Sequence, residues 1–474
     1  MSQNFYITTT LPYVNSDPHI GFAMEIVRAD VLARYHRLLG DNVFFNTGTD
    51  EHGQKIYQKA LEAGKKPQEY VDKYAARFSK LKESLNLSYD NFIRTTDKNH
   101  IKAAQDFWKI VNKNGYIYKK NYEAKYCVGC ELEKQDSDLV DGFCPDHPGK
   151  KLEIRSEENY FFKFSAFEKP LLKLYKENPD FVVPSNRLKE IENFVGSGLK
   201  DFSISRLKEK MPWGVMVPGD ETQVAYVWFD ALVNYISALG WPENEKSFSK
   251  WWPGTQIAGK DNLRQQSAMW QAMLMAAGLV TSKQILINGF ITSDGQKMSK
   301  SVGNVVNPVE YTDKYGTDAL RYFLLSKISP FEDSDFTEKR FEEAYTSDLV
   351  NGLGNLVARV AAMAEGVSLE VGPGQDKMTK KVSEKLEGFE FDKSLELVWD
   401  RVRKADKLIN EKEVWKLDGE EKKEVLIGLV NEIRQIGVDL KPFVPETAEK
   451  ILRQFKEGKV VRSTNLFERL KPAV

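Results

Sequence analysis

Residues 295–301 read Gly-Gln-Lys-Met-Ser-Lys-Ser, and this short basic loop decides how the rest of the chain is interpreted. It follows an apolar and β-branched run at residues 284–288, which is typical of a buried strand. Two mobile ammonium groups, those of Lys297 and Lys300, suit the binding of a polyanion such as a triphosphate. A solvated loop rich in lysine and serine has the same pattern, so the choice depends on the rest of the chain.

The first fifty residues favour the triphosphate interpretation. Residues 4–10 have the β-propensity of a strand, and a helical pattern begins near residue 23 and continues to residue 39. His19 and Gly21 therefore fall at a helix N-terminus, where free N–H groups and the helix dipole favour anions. The sequence has no Rossmann dinucleotide fingerprint and no Walker loop, so this turn is the predicted phosphate site.

The composition excludes several classes of protein. The chain has 474 residues, and its 68 Lys and Arg are balanced by 69 Asp and Glu, which argues against histone-like binding to DNA. No apolar run approaches the ~18 residues of a membrane span, and the N-terminus lacks the basic region of a signal peptide. We therefore expect a cytoplasmic protein that binds neither DNA nor membranes.

All three cysteines fall in one short segment with a pattern typical of a metal site. Cys127-x-x-Cys130 is followed, after thirteen residues, by Cys144-x-x-His147. Two such pairs of soft ligands build a tetrahedral zinc knuckle, and four protein ligands leave no open coordination position. We therefore expect one structural Zn²⁺. The alternative is three free thiols that lie together by coincidence.

The alternation of strand and helix patterns predicts an α/β fold. A Rossmann-like parallel sheet is split by the metal-bearing insertion and followed by an all-α helical bundle. We expect a strand at 223–229 that leads into a helix, a helical stretch that runs to about residue 199, and a first bundle helix at 348–364. The predicted segments are a first catalytic half at 1–114, the connective insertion with its knuckle at 115–205, a second catalytic half at 206–289, the lysine loop and a linking segment at 290–340, and the helical domain at 341–474.

Two of these motifs together resemble the signatures of class I aminoacyl-tRNA synthetases. Residues 19–22, His-Ile-Gly-Phe, are similar to the HIGH signature at three of four positions, and residues 297–301 match the KMSKS signature completely. The two motifs occur in the family's order, about 280 residues apart. The resemblance implies that the fold binds ATP and activates an amino acid.

Further motifs narrow the resemblance to the methionyl-tRNA synthetases of bacterial type, which carry a single zinc knuckle. The matching stretches are Leu11-Pro12-Tyr13, Asp50-Glu51-His52-Gly53, Ile204-Ser205-Arg206, Tyr226 to Ala231, Gly259-Lys260-Asp261, Asn355 to Arg359 and Val444 to Ala448. The family forms methionyl-adenylate and pyrophosphate from L-methionine and ATP, with Mg²⁺. It then transfers methionine to the 3′-terminal adenosine of tRNA(Met).

The resemblance also implies a role for each matching residue. Those that would bind ATP are His19, Gly21, Phe22, Lys297, Ser299 and Lys300, of which His19, Lys297 and Lys300 would be catalytic. Those that would bind methionine are Leu11, Tyr13, Asp50, Arg206, Trp228, Ala231, Tyr235, Asn262 and Gln266. Those that would read the tRNA anticodon are Asn355, Arg359 and Trp415.

The sequence departs from the family pattern at four positions. Phe22 replaces the second histidine of HIGH, Asn262 replaces a branched aliphatic residue, Gln266 replaces a histidine of the amino-acid pocket, and Val414 replaces a proline. An amide donates and accepts hydrogen bonds as a neutral imidazole does, so we expect Gln266 to orient the Tyr235 hydroxyl.

Several alternatives remain open at this stage. Trp228 and Tyr235 are also consistent with ordinary core packing. Asn351, Asn355 and Arg359 form a polar stripe that is equally consistent with a solvated helix face, opposite a predicted core face of leucines and valine. A valine, isoleucine, leucine or cysteine enzyme shares the signatures, and a zinc-bearing RNA-binding protein without catalysis is a rival from another class. No tRNA-binding barrel follows the helices, so we expect a monomer.

Overall fold

A six-stranded, all-parallel sheet forms the centre of the computed structural model, which describes residues 2–134, 138–298, 304–372, 374–456, 459–461 and 465–470. Its strands lie side by side in the order Asn91–Arg94, Asn42–Thr49, Asn4–Thr9, Thr255–Gly259, Gln284–Asn288 and Val182–Val183. The strands at the centre are almost wholly buried, as expected for a parallel sheet covered on both faces. The α/β prediction is confirmed.

The first helix, Ile20–Leu38, begins three residues earlier than the pattern predicts, because His19 caps it. Most of its side chains are buried, including three charged ones, of which Asp30 forms an ion pair with a later helix. Arg321 forms an ion pair of 2.8 Å with Asp30, and both side chains are fully buried. Burial alone would raise the pKa of Asp30, but Arg321 and Arg34 lower it below its ordinary value. The pair joins the first helix to the helix Thr317–Ser326.

The insertion forms its own antiparallel sheet and also contributes to the main one. Its strands pair in the order Leu132–Lys134, Ile117–Cys127, Glu153–Phe162 and Phe202–Ser203. The prediction of a continuous helical stretch to residue 199 is wrong, because Val182–Val183 interrupts it and adds an edge strand next to Gln284–Asn288. Sheet membership therefore does not follow the predicted limits of the insertion.

The predicted strand at 223–229 is shorter than expected. Gln223–Ala225 pairs with Ser205–Leu207, and the ladder ends at the register Ala225 opposite Ser205. The Tyr226 N–H still donates to the Ile204 carbonyl at 2.8 Å, and a helix begins at Val227. Trp228 therefore lies on the short helix Val227–Ala231, which follows the end of the partner strand.

The C-terminal region is helical, as predicted, but its first helix is irregular. Glu338–Ala344 and Asn355–Ala364 are α-helical, whereas Tyr345–Gly354 between them is a π-helix, a wider coil that the 3.6-residue pattern does not predict. The predicted core face is confirmed, since the following side chains are buried: Leu349, Leu353, Leu356 and Val360. A short hairpin, Phe455–Lys456 with Lys459–Val460, replaces the end of the last predicted helix.

The remaining elements follow the predicted alternation. The other helices are Gln54–Glu62, Pro67–Ser79, Leu81–Ser84, Lys98–Lys113, Phe164–Phe167, Glu168–Glu177, Ser185–Gly196, Asn234–Ser237, Glu245–Trp251, Lys260–Asn262, Gln265–Met269, Trp270–Ala276, Pro308–Tyr315, Thr317–Ser326, Lys380–Glu387, Phe391–Glu411, Val414–Lys416, Gly419–Leu440 and Pro445–Gln454. The remaining strands are Ile291–Ser293, Gln296–Lys297 and Ser334–Phe336. Among the described helices, none combines the length and apolarity needed to cross a bilayer.

Candidate active site

The predicted phosphate turn lies at the carboxyl end of the first strand. His19 has an extended backbone, and its Nδ1 accepts the Gly21 N–H at 3.1 Å, so the imidazole itself caps the first helix. Part of the imidazole is exposed to solvent, but protein surrounds most of it. This partial burial lowers the pKa of His19 from the ordinary value. A neutral histidine with one ring nitrogen committed to the cap leaves the other for a ligand.

The segment that follows the lysine loop lies against the predicted phosphate turn. The Ile20 N–H, in the first turn of the helix, donates to the Val306 carbonyl at 3.0 Å, just beyond the lysine loop. The loop itself begins with a tight hairpin in which Asp294 and Gly295 both have positive φ, and the Gly295 N–H donates to Asp335 at 2.8 Å. The side chain of Lys297 and the residues Ser299 and Lys300 lie outside the described part of the chain.

Phe22 does not take the polar place that a second histidine would have. Its ring is 8% exposed and packs edge to face against Phe78, with ring centroids 5.5 Å apart. The phenyl group therefore contributes to the core between the first helix and the helix Pro67–Ser79.

The loops after the first two strands run side by side and carry Tyr13 and Asp50. The Asp50 N–H donates to the Pro12 carbonyl at 3.0 Å, and the Val14 N–H donates to the Asp50 carbonyl at 3.2 Å. Because both loops leave the carboxyl edge of the sheet, the two side chains meet where such sheets bind ligands.

Asp50 is a buried carboxylate in negative surroundings. Its side chain is 2% exposed, and no Lys or Arg of the described chain forms an ion pair with it. Burial raises the pKa of Asp50 well above its ordinary value, and the nearby Asp230 and Glu131 raise it further. An isolated buried charge is costly, so this site would be stabilised by a ligand that carries a positive charge.

Two histidines contact Asp230, the carboxylate near Asp50. His52 Nδ1 lies 2.7 Å from one oxygen of Asp230, and His100 Nε2 lies 2.9 Å from the other. Burial alone would raise the pKa of Asp230, but the two histidines lower it to about 2. His100 also contacts the Ser237 hydroxyl at 2.9 Å. Asp230 is therefore ionised and fully paired, in contrast to Asp50.

Aromatic side chains line the space beside Asp50. Tyr13 and Trp228 meet edge to face, with centroids 6.2 Å apart. Tyr235 is 2% exposed, and Gln266 Nε2 donates to its hydroxyl at 2.6 Å. This is the hydrogen bond that the sequence predicts for the amide in place of histidine. The indole N–H of Trp228 has no acceptor among the residues that the structure describes.

The other residues expected around methionine have different surroundings. Arg206 is buried and donates a hydrogen bond to Ser203. Its guanidinium lies over the rings of Tyr126 and Tyr226 and so holds these two side chains in place. Ala231 is buried on the helix of Trp228, whereas Leu11 and Asn262 are half-buried.

The four predicted metal ligands come together. Their ligand atoms all lie within 4.8 Å of one another, and Cys130 Sγ is 3.7 Å from Cys144 Sγ. Zn–S bonds of about 2.3 Å in a tetrahedron place sulfurs roughly 3.8 Å apart, so the cluster fits zinc. Gly129 is required here, because a Cβ would lie 2.4 Å from the His147 ring.

The predicted anticodon residues form a second, separate cluster. Arg359 is ion-paired with Asp406, donates to Asn410 at 2.7 Å, and lies 6.0 Å from the ring centre of Trp415. Trp415 is 50% exposed, and Asn355 is exposed one turn before Arg359.

The motifs did not reveal every residue of these sites. Asp406 and Asn410 carry no motif, and their helical spacing on Phe391–Glu411 is the only signal that could have indicated a shared polar face. Glu25 is buried, accepts the N–H and hydroxyl of Thr10 at 2.7 and 2.6 Å, and burial raises its pKa to about 8. The only sequence feature that indicates Glu25 is its charge within the apolar pattern of the first helix.

Comparisons with known proteins agree with this geometry. The family model for class I tRNA synthetases (M) matches residues 5–151 and 146–361. The methionine–tRNA ligases of Caldanaerobacter subterraneus and Synechocystis sp. are each 41% identical, over 96% and 95% of this chain and 74% and 89% of their own lengths.

Two solved structures cover the chain almost completely. The methionyl-tRNA synthetase of Mycobacterium tuberculosis in complex with methionyl-adenylate matches with a TM-score of 0.93 at 33% identity, over 98% of this chain and 100% of that chain. The free-state form of that enzyme matches with a TM-score of 0.85 at 29% identity, over 100% and 99%. The backbone is thus more similar to the adenylate-bound structure than to the free one.

Proposed function

The chain belongs to the methionyl-tRNA synthetases of class I and is a methionine–tRNA ligase, and we propose how its own residues carry out that reaction. The enzyme joins methionine to ATP as methionyl-adenylate, with release of pyrophosphate, and then transfers methionine to tRNA. The proposals concern which side chains bind each substrate.

Asp50 binds the methionine ammonium, and its burial is the observation that carries the proposal. The carboxylate is 2% exposed, is surrounded by acidic groups and has no cationic partner among the described residues. An ammonium group would supply that partner and would lower the raised pKa of Asp50. The methionine carboxylate then faces the phosphate turn.

The aromatic wall binds the methionine side chain. Leu11, Tyr13, Trp228, Ala231 and Tyr235 enclose an apolar slot, and aromatic rings suit a polarizable thioether. Gln266 orients the Tyr235 hydroxyl at the end of the slot. Arg206 and Asn262 act from the edge of the pocket, where Arg206 braces Tyr226.

His19 and the lysine loop bind the triphosphate, which arrives with Mg²⁺ as part of the substrate. The methionine carboxylate attacks the α-phosphorus in line, so no nucleophilic side chain is needed. Gly21 allows close approach to the helix N-terminus, and Ser299 lies between the two loop lysines. Lys297 and Lys300 stabilise the charge that develops on pyrophosphate. The hydrogen bond between Ile20 and Val306 supports this joint action, because it joins the first turn of the helix to the segment that follows the lysine loop.

The knuckle holds one structural Zn²⁺ through Cys127, Cys130, Cys144 and His147. Three sulfurs and one imidazole form a closed tetrahedral set, so the metal stabilises the insertion and does not take part in the reaction.

Asn355, Arg359 and Trp415 read the anticodon of tRNA(Met). The exposed indole offers a stacking face to an unstacked base, and Asp406 and Asn410 hold the guanidinium beside it. Residues 1–114 and 206–289 form the catalytic unit, 115–205 the insertion, 290–340 the loop and linker, and 341–474 the anticodon domain. The monomeric state stays a prediction.

Amino-acid-dependent exchange of pyrophosphate into ATP, without tRNA, tests the pocket. We expect methionine to drive exchange, with leucine, isoleucine, valine and cysteine weaker by at least ~10²-fold. Differences of a single methylene in an apolar pocket are worth about 1–3 kcal/mol, so we expect norleucine to support some exchange. A stronger response to another standard amino acid would overturn the assignment of the pocket. A complete absence of exchange would favour the RNA-binding alternative.

A further inference from the structure

One buried side chain of the metal knuckle reaches out of it into the amino-acid pocket. Glu131 directly follows the predicted ligand Cys130, has a left-handed backbone with φ of 51°, and is 1% exposed. Its carboxylate contacts none of the knuckle's ligands and instead meets two segments of the catalytic unit.

Both carboxylate oxygens of Glu131 accept hydrogen bonds from the catalytic unit. The Tyr13 hydroxyl donates to Oε2 at 3.1 Å, and the Lys55 N–H donates to Oε1 at 2.7 Å. The backbone carbonyl of Glu131 accepts the Tyr226 hydroxyl at 2.8 Å. One residue therefore connects the loop of Tyr13, the segment after Asp50 and the strand end before Trp228.

The contact with Lys55 supplies a helix cap from a distant part of the chain. Lys55 is the second residue of the helix Gln54–Glu62, whose N-cap is Gly53 and whose first turn contains no acidic residue. The first N–H groups of a helix lack internal partners and favour a negative group. Glu131 provides that group, and thereby fixes the helix that directly follows the Asp50 loop.

The local backbone is shaped for this close approach. Gly53 has φ of 110°, and a Cβ at that position would lie 2.8 Å from Glu131 Oε2. Glycine is thus required both for the turn and for access to the carboxylate. Lys55 Nζ also donates to the Gly129 carbonyl at 3.4 Å, so the helix contacts the knuckle twice.

We infer that Glu131 is a positioning residue for methionine binding, through which the knuckle holds Tyr13 against Trp228 and fixes the loop of Asp50. The inference rests on the proposed roles of Tyr13 and Asp50. Glu131 touches no substrate. Its carboxylate holds the Tyr13 ring in place before methionine binds. Binding therefore does not lose the conformational entropy of ordering that ring.

The test measures exchange kinetics and zinc content for Glu131→Ala, Tyr13→Phe and the double variant. Loss of a hydrogen bond to a charged group predicts a methionine KM raised about tenfold or more in Glu131→Ala. The KM for ATP should stay within about twofold and kcat should change little, since the contact serves ground state and transition state alike. Zinc should remain at one per chain.

The double variant separates positioning from general packing. If Glu131 acts through the Tyr13 hydroxyl, adding Tyr13→Phe to Glu131→Ala will raise the methionine KM little further. Glu131→Gln should restore near-normal KM, because its amide can accept from Lys55 and donate to the phenol oxygen. Asp141→Asn, at an exposed position of the same knuckle, is the matched control and should behave as the unaltered enzyme.

Four results would overturn the inference. The first is a double variant whose fold-change in methionine KM equals the product of the separate fold-changes. The second is a Glu131→Ala protein in which zinc content, ATP KM and kcat all deteriorate together. The third is a methionine KM that rises in Tyr13→Phe and not in Glu131→Ala, which leaves the proposed pocket standing. The fourth is a methionine KM that rises in Glu131→Ala and not in Tyr13→Phe, because Glu131 then does not act through the Tyr13 hydroxyl; the proposed role of the Tyr13 ring stands, since phenylalanine keeps that ring.

Discussion

The proposed amino-acid pocket and the proposed anticodon cluster are built in opposite ways. In the pocket, Tyr235 and Asp50 are each 2% exposed, and the Tyr235 hydroxyl accepts a hydrogen bond from Gln266, 31 residues away. In the cluster, Trp415 is 50% exposed, and an ion pair between two helices holds the neighbouring Arg359. A small apolar side chain gains free energy when its site excludes water, whereas a base that stacks on a protein needs an open ring face. Burial therefore distinguishes the proposed site of chemistry, and exposure the proposed site of tRNA recognition.

The largest effect should come from the charge at the mouth of the pocket. Asp50→Asn removes the only group that we assign to the methionine ammonium, so adenylate formation should fall by about 10²- to 10³-fold. Both pyrophosphate exchange and tRNA charging should fall together, as measured in parallel assays.

Thermal unfolding is the control for this variant. Because the pKa of Asp50 is raised in the folded state, its ionised form costs stability at neutral pH. The asparagine variant should therefore unfold at the same temperature or higher. A lower unfolding temperature with proportionate loss of activity would mean that Asp50 is structural.

The lysine loop should show the next largest effect. Lys297→Ala should slow adenylate formation by roughly 10²-fold, the scale of losing an oriented charge donor in the transition state. Equilibrium binding of methionine, followed by tryptophan fluorescence, should stay unchanged. An effect confined to KM would contradict this role, because it would mean that the loop binds ground state and transition state alike.

A smaller effect is expected at the exposed indole. Trp415→Ala should weaken tRNA(Met) binding by about 1–3 kcal/mol, the usual worth of one stacked base. Filter binding measures the affinity directly. Trp415→Phe, which keeps a ring face, should recover part of it; equal losses in both variants would contradict stacking.

The sequence predicts the parts of both sites that local pattern encodes. The cysteine spacing predicts a cluster of four ligands, and the structure brings their ligand atoms within 4.8 Å of one another. The signature motifs predict the roles of His19 and the lysine loop. The helix cap at His19 and the hydrogen bond from Gln266 to Tyr235 follow from ordinary side-chain chemistry, and the structure contains both.

What the sequence did not predict depends on contacts between distant segments. Asp230 lies 130 residues from His100 and 178 from His52, and no local period reports such pairs. Trp228 was expected on a strand because its neighbours have high β-propensity, but the ladder ends where the partner strand ends. The π-helix at Tyr345–Gly354 departs from the 3.6-residue period on which the prediction of a regular helix depended.

The separation of the two regions is tested most directly by Arg359→Ala in two assays on one protein preparation. We predict that tRNA(Met) charging falls about tenfold or more, since a charge-assisted contact is lost. Methionine-dependent pyrophosphate exchange without tRNA should stay within about twofold of the unaltered enzyme. Arg453→Ala, which removes an exposed, ion-paired arginine from the last helix, is the control and should leave both activities unchanged. A parallel loss of exchange and charging in Arg359→Ala would contradict the division between a buried chemical site and an exposed recognition site.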